Sequence, residues 1–176
     1  MLALLVSLAS AQTVPGPSLH VGDDALLFSL PALNEDAAMR AVSKPHVALA
    51  DFTGGIVTPP FPAQAVVVHF LRREGGDGQL ATLERLHKKY QNRGLRIVAI
   101  VAQGGDLAPL SDWISSQRLN FPVLNDQHGI VSSRYGVAHF PMTFIVDGEG
   151  SLAAIGAPSE GSLEAQLETV VQPLLK

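Results

Sequence analysis

Strand-like and helix-like patterns alternate from Ala65 to the end of the chain, and this order constrains the fold more than any other feature. Ala65–Leu71 is apolar except for His69, and a second apolar run, Leu95–Val101, follows a segment with helical spacing. Continuous apolar runs of this length are typical of strands that are covered on both faces. The full order, β-α-β-α-β-α-β-β-α, predicts an α/β fold with a mixed central sheet and helices on both faces.

The spacing of apolar residues predicts the individual elements. Leu80, Leu83, Leu86 and Tyr90 recur at helical spacing, and Gly94 suits the end of that helix. The later predicted elements are a helix capped by Asp106, a strand at Phe121–Leu124, a short helix at Gly129–Tyr135, a hairpin of Met142–Val146 and Ser151–Ile155 around the turn Asp147–Gly150, and a last helix with an inner stripe of Leu163, Leu167, Val170, Val171 and Leu174.

The segment before Ala65 has weaker patterns. Leu26–Leu30 and Val47–Asp51 are predicted as short strands. Glu35–Val42 is predicted as a helix between them, with Asn34 as its N-cap. Two short strands and a helix are therefore expected ahead of the alternating region.

Composition and charge exclude several classes of protein. The 176 residues are 47% hydrophobic and 16% charged, which is typical of one globular domain. A net charge of -4 argues against a nucleic-acid-binding protein, because such proteins usually carry a basic face. After the N-terminal segment, no stretch has about 18 uninterrupted apolar residues, so no membrane span is expected in the mature chain.

The N-terminal segment is typical of a protein that is exported. Residues 1–11 are apolar and end in Ala9-Ser10-Ala11, which suits signal-peptide cleavage, although no Lys or Arg precedes Arg40. We expect residues 12–25 to be a linker and residues 26–176 to form the domain. The predicted location is periplasmic or otherwise extracytoplasmic. The alternative is an apolar tail on a cytoplasmic protein.

Six segments together carry a family resemblance: Phe28–Pro31, Val66–Phe70, Lys88–Gly94, Phe121–Asp126, Tyr135–Val137 and Pro141–Gly150. They resemble the redoxin branch of the thioredoxin superfamily, which includes AhpC/TSA peroxiredoxin-like and TlpA-like proteins. The resemblance covers about residues 26–175 and implies a thioredoxin-like three-layer fold.

The resemblance implies a binding groove near the last hairpin. In this family the proline before the hairpin is cis, so the Phe140–Pro141 peptide bond is expected to be cis. The family uses that turn to hold an extended peptide through backbone groups of the preceding residue. Phe140, Pro141 and Met142 are therefore the predicted groove residues, with Phe140 partly exposed.

The family's redox cysteines are missing from this chain, which contains no cysteine. Counted from Phe70, the two positions of the family's Cys-x-x-Cys fall on Gly75 and Gly78. The former active-site loop is thus Glu74, Gly75, Gly76, Asp77 and Gly78. Thiol chemistry needs a thiolate, so the sequence predicts a catalytically inactive module without a cofactor. Its predicted partner is an unidentified protein or extended peptide, held in a groove with charge at its rim from Arg72, Arg73, Glu74 and Asp77.

Three alternative functions stay open. The family implies thiol-disulfide oxidoreductase or antioxidant activity, which would need a partner's thiol or a bound cofactor. His69 and His139, with Glu74 or Asp77, could form a His/carboxylate site for zinc or copper. The loop Thr58–Pro62 could contact a larger assembly.

Non-thiol nucleophilic catalysis has the weakest support. Ser132 and Ser133 are near His128 and His139 in sequence, but no motif places them together.

Overall fold

The computed structural model describes residues 18–54, 58–156 and 162–175. The predicted signal segment 1–11 and the first part of the predicted linker 12–25 lie outside the described residues. Within these three ranges, no helix has both the length and the apolar character needed to cross a bilayer.

A five-stranded mixed sheet forms the centre of the molecule, in the order β5-β4-β3-β6-β7. Strand β3 pairs in parallel with β4, and β4 pairs in parallel with β5. On its other side β3 pairs antiparallel with β6, which forms the antiparallel hairpin with β7. The predicted mixed sheet is confirmed. The strand bounds are β3 Ala65–Leu71, β4 Leu95–Val101, β5 Val123–Asn125, β6 Met142–Asp147 and β7 Leu152–Gly156.

Helices cover both faces of this sheet, as predicted. On one face, Val67 and Leu71 of β3 pack in a cluster with α2, α3 and α5. On the other face, Val66, Val68 and Phe70 pack with α1, α4 and the N-terminal segment. Because successive side chains of a strand point to opposite faces, one apolar strand supplies both layers. The helix bounds are α1 Glu35–Val42, α2 Gly76–Tyr90, α3 Leu107–Ser116, α4 Ile130–Arg134 and α5 Leu163–Leu174.

The short strands ahead of the sheet differ from the prediction. The first, β1, is Ser29–Pro31 rather than Leu26–Leu30, and it pairs antiparallel with β2, His46–Ala48. The predicted second strand therefore ends early, and Leu49–Asp51 forms a turn of 3-10 helix. The Asp51 carboxylate closes that turn by accepting from the Ala48 backbone N–H at 2.8 Å.

Asn34 occupies the N-cap position of α1, as predicted, but its side chain does not cap the helix. Its side chain makes no bond to the first turn of α1. Instead its Oδ1 accepts from the Val123 backbone N–H at 2.8 Å, and its Nδ2 donates to the Phe121 carbonyl at 3.0 Å. Asn34 therefore ties α1 to the start of β5, which begins two residues later than predicted. The Asp106 cap is confirmed, because its carboxylate accepts from the Ala108 N–H at 3.2 Å.

Candidate functional site

The predicted groove and the former active-site loop lie at the same end of the inner strands β3 and β6. Phe70, near the end of β3, is opposite Met142, the first residue of β6. The residues that follow β3, beginning with Arg72, therefore lie beside the residues that precede β6. The two segments touch, because the Arg72 guanidinium carbon lies 4.7 Å from the centre of the Phe140 ring. This distance is within the range of a cation–π contact.

Backbone groups in the loop before β6 are unpaired. The Phe140–Pro141 peptide bond is cis, and Phe140, Pro141 and Met142 are half-buried. Val137 donates its N–H to the Ser132 carbonyl, but no described residue pairs with the backbone of residues 138–140. This loop therefore presents free N–H and C=O groups beside the Phe140 ring.

The glycines of the former active-site loop occupy three different environments. Gly75 is the residue before α2 and has a φ of 76°, a left-handed conformation that strains other residues. Gly76 is buried, and a Cβ placed there would lie 2.9 Å from the Trp113 ring. Gly78 has open space where a Cβ would lie. A side chain would therefore be strained at Gly75 and unstrained at Gly78, the two positions predicted to match the family's cysteines.

The exposed Asp77 carboxylate is hydrogen-bonded to two neutral side chains at α3. Its Oδ1 accepts from the Trp113 indole N–H at 2.6 Å and from the Gln117 amide at 3.1 Å. Asp77 therefore links the first turn of α2 to α3. Arg72, Arg73 and Glu74 are exposed, and none forms an ion pair with another described residue.

His69 lies buried beneath the first turn of α2. One ring nitrogen, Nε2, is 3.0 Å from Gln79 Oε1, and the other, Nδ1, is 2.8 Å from Thr143 Oγ1. A carbonyl oxygen can only accept, so Nε2 carries the proton and Nδ1 accepts from the Thr143 hydroxyl. Burial lowers the pKa of His69 to about 4, and the bond to Gln79 opposes this shift. The side chain is therefore a neutral imidazole at neutral pH.

This environment contradicts the metal-site hypothesis for His69, His139, Glu74 and Asp77. Both nitrogens of His69 already have partners, while His139 is exposed on the loop before Phe140. In the described part of the chain, no group of three or more His, Asp and Glu residues could hold a metal ion. The partners of His69, Gln79 and Thr143, were not predicted from the sequence. Thr143 could have been singled out from the sequence, because it is a buried-strand position that is polar while the next three residues of β6 are apolar.

The serines considered for nucleophilic catalysis are not hydrogen-bonded to a histidine among the described residues. Ser132 donates its hydroxyl to the Gly129 carbonyl at 3.1 Å, and its backbone N–H donates to Asp126 at 2.8 Å. No hydrogen bond between described residues connects Ser132 or Ser133 to His128 or His139. The serines instead belong to the turn that begins α4.

The proline-rich loop lies far along the chain from the groove residues. Thr58 and Pro60 are exposed, Pro59 is half-buried, and residues 55–57 lie outside the described ranges. The loop is anchored where the Phe61 N–H donates to the Asp51 carbonyl at 2.9 Å. Its surface therefore presents prolines beside the first segment of the domain.

Comparisons with known proteins identify the family. The profile of the AhpC/TSA family matches residues 21–155. The chain belongs to the AhpC/TSA family. The resemblance seen in the sequence is thus confirmed.

Curated relatives are thiol-disulfide oxidoreductases by name. The ResA protein of Oceanobacillus iheyensis is 26% identical over 155 residues, which are 86% of this chain and 73% of that protein. The ResA protein of Bacillus anthracis is 28% identical over 94 residues, which are 52% of this chain and 54% of that protein. The match thus spans about half the length of the Bacillus relative. The names of these relatives imply thiol chemistry, whereas the present chain contains no cysteine.

Solved structures share the fold. A candidate thiol:disulfide interchange protein DsbE from Chlorobium tepidum has a TM-score of 0.72 and 22% identity, covering 90% of this chain and 100% of that one. A secreted disulfide oxidoreductase from Mycobacterium tuberculosis has a TM-score of 0.61 and 18% identity, covering 83% of this chain and 95% of that one. At these identities the likeness establishes the thioredoxin-like α/β fold.

Proposed function

We propose that this chain binds an extended segment of a partner protein and performs no thiol chemistry. The binding site would be the groove of Phe140, Pro141 and Met142, beside the turn Glu74–Gly78. The observation that carries the proposal is the unpaired backbone of residues 138–140. Extended peptides bind well to such groups, because main-chain hydrogen bonds supply affinity whatever the peptide's sequence.

The side chains beside this backbone suit a peptide's own side chains. Phe140 offers a half-buried aromatic ring, and the Arg72 guanidinium stacks on it. These two residues line part of a depression of about 430 Å³. Its other lining residues are mostly small or polar and include Gln103, Gln127, His128 and Ser133. A peptide paired with the backbone of residues 138–140 could place one side chain in this depression.

The substitution Phe140→Asp is expected to weaken peptide binding about tenfold or more, because it removes the ring from the centre of the groove and buries a charge there. The probe is a peptide selected from a random library on the purified wild-type chain. The dissociation constant is measured by fluorescence polarisation for the wild type and the variant.

Met39→Asp is the matched control, since it makes a similar change on α1, at a residue that is 50% exposed. Its affinity should equal that of the wild type. Failure to select any peptide, or equal binding by Phe140→Asp and Met39→Asp, would contradict the groove proposal.

The loss of thiol chemistry has its own test. With dithiothreitol as reductant, the chain should not accelerate the reduction of insulin disulfides or the consumption of hydrogen peroxide, because it has no cysteine to form a thiolate. The rates are compared with those of the reductant alone. Turnover above that background would favour the alternative of redox activity through a bound cofactor.

Export of the chain is also part of the proposal. It is supported by the apolar residues 1–11 and their small residues at positions 9 and 11. One structural neighbour is described as secreted. The N-terminal sequence of the mature protein distinguishes export from a cytoplasmic location.

A further inference from the structure

A basic cavity lies at the N-terminal end of strand β4, at the opposite end of the central strands from the groove. It has a volume of about 330 Å³ and is lined by Arg40, Phe52, His87, Asn92, Arg96 and Asn120, among others. Arg96 is the second residue of β4, whereas the groove lies beyond the C-terminal end of its parallel neighbour β3. At about 3.3 Å per residue along a strand, the two sites are well over 10 Å apart.

The Arg96 side chain is held in place by the backbone carbonyls of two preceding residues. Its Nη1 donates to the carbonyls of Gln91 and Leu95, both at 3.0 Å. Its Nε and Nη2 have no hydrogen bond to any residue that the structure describes. Burial lowers the pKa of Arg96, but a guanidinium stays protonated in proteins. The cavity therefore contains a fixed cation with free donors.

Arg40 adds a second cation without a counterion. It lies in the last turn of α1, and no described carboxylate forms an ion pair with it, including Asp36 one turn earlier. The Glu84 carboxylate, which contacts the cavity residue Asn120, is bound to groups other than Arg40 and Arg96. It accepts from the backbone and side-chain amides of Asn120 at 2.8 and 2.5 Å, and it lies 3.3 Å from the Lys88 ammonium.

His87 also lines the cavity, and it has a buried ring nitrogen without a hydrogen-bond partner among the described residues. Its side chain is 8% exposed, and its Nδ1 is buried without a hydrogen-bond partner among the described residues. Burial lowers the pKa of His87, the Glu84 carboxylate opposes this, and the charges of Arg96 and Lys88 reinforce it. Unpartnered buried polar atoms are uncommon in folded proteins and require an explanation.

We propose that this cavity binds a small phosphate-bearing anion. The two guanidinium groups match the geometry and charge of phosphate oxygens. The amides of Asn92 and Asn120 could bind hydroxyl groups, and the Phe52 ring supplies an apolar wall. The cavity is within the size range of small-molecule sites, so it has room for an organic phosphate as well as for free phosphate. The proposal does not depend on peptide binding at the groove.

Calorimetric titration of the full chain with inorganic phosphate and with glycerol 3-phosphate tests this site. We expect saturable binding with a dissociation constant of about 1 mM or tighter. Arg40→Gln and Arg96→Gln should each weaken it by about tenfold or more, because each removes charged hydrogen-bond donors. Tighter binding of glycerol 3-phosphate identifies an organic phosphate as the ligand, equal binding identifies free phosphate, and both support the proposal.

Arg85→Gln is the control, since it removes the same charge from α2 at a residue that pairs with Glu164 instead of lining the cavity. It should bind both anions as the wild type does. Arg96 anchors two carbonyls, so its loss could disturb the fold, but Arg40 is exposed and makes no such bond. Absence of saturable binding, or an equal effect of Arg40→Gln and Arg85→Gln, would overturn the proposal.

Discussion

Acidification from about pH 7 to about pH 5 is expected to lower the free energy of unfolding by about 2 kcal/mol through His69 alone. Burial depresses the pKa of this side chain from 6.5 to about 4 in the folded chain. Its two ring nitrogens are bound to Gln79 and Thr143 as a neutral imidazole. Protonation would leave Nδ1 with a hydrogen pointing at the proton of the Thr143 hydroxyl, unless that hydroxyl turned away.

The direction of the effect follows from proton binding. The unfolded chain protonates this histidine below about pH 6.5, whereas the folded chain resists protonation until about pH 4. Stability from His69 is therefore complete above the unfolded pKa and is lost as the pH falls through the window between the two values. The pKa of His87 is lowered as well, so its contribution has the same sign.

Urea unfolding at several pH values in this window measures the slope of stability against pH. His69→Gln should reduce that slope, even if it lowers stability at every pH. His46→Gln is the control, because His46 is exposed on β2 and should keep the wild-type slope. An unchanged slope in His69→Gln would show that His69 is not the buried titrating group described here.

The order of elements after Ala65 could be predicted because burial leaves a strong local pattern. Strands β3 and β4 are covered on both faces, so nearly every residue is apolar, and the helices between them carry one apolar stripe. Errors occurred where a distant partner decides the local structure. Asn34 is at the predicted N-cap position, but its side chain bonds to Phe121 and Val123, which its local capping tendency did not predict.

The candidate site was predicted in position but not in its chemistry. The turn before α2 and the loop before β6 were expected to be neighbours, and Arg72 does contact Phe140. Asp77 was expected at the rim, and the sequence did not indicate its hydrogen bond to Trp113, which is 36 residues away. The basic cavity was not predicted at all, because Arg40 and Arg96 belong to different elements and no sequence spacing relates them.

Gly76→Ala is expected to lower the free energy of unfolding by about 2 kcal/mol, as overpacking of a buried contact does. The new Cβ would lie 2.9 Å from two atoms of the Trp113 ring and 3.1 Å from the Leu71 Cδ1. The ring cannot retreat freely, because its N–H donates to Asp77 at 2.6 Å, and Asp77 is the next residue in the same turn. Urea unfolding of the variant measures the loss.

Gly78→Ala makes the same chemical change two residues later and should have the opposite effect. Apart from its chain neighbours and the backbone of α2, no described atom lies within 4 Å of the added Cβ, so only the helical preference of alanine acts. That preference should stabilise the chain by about 0.5 to 1 kcal/mol. If both variants were stabilising, this result would contradict the close approach of Gly76 to the Trp113 ring. A loss only at Gly76 would show that the absence of a side chain there lets α2 pack closely against Trp113 of α3.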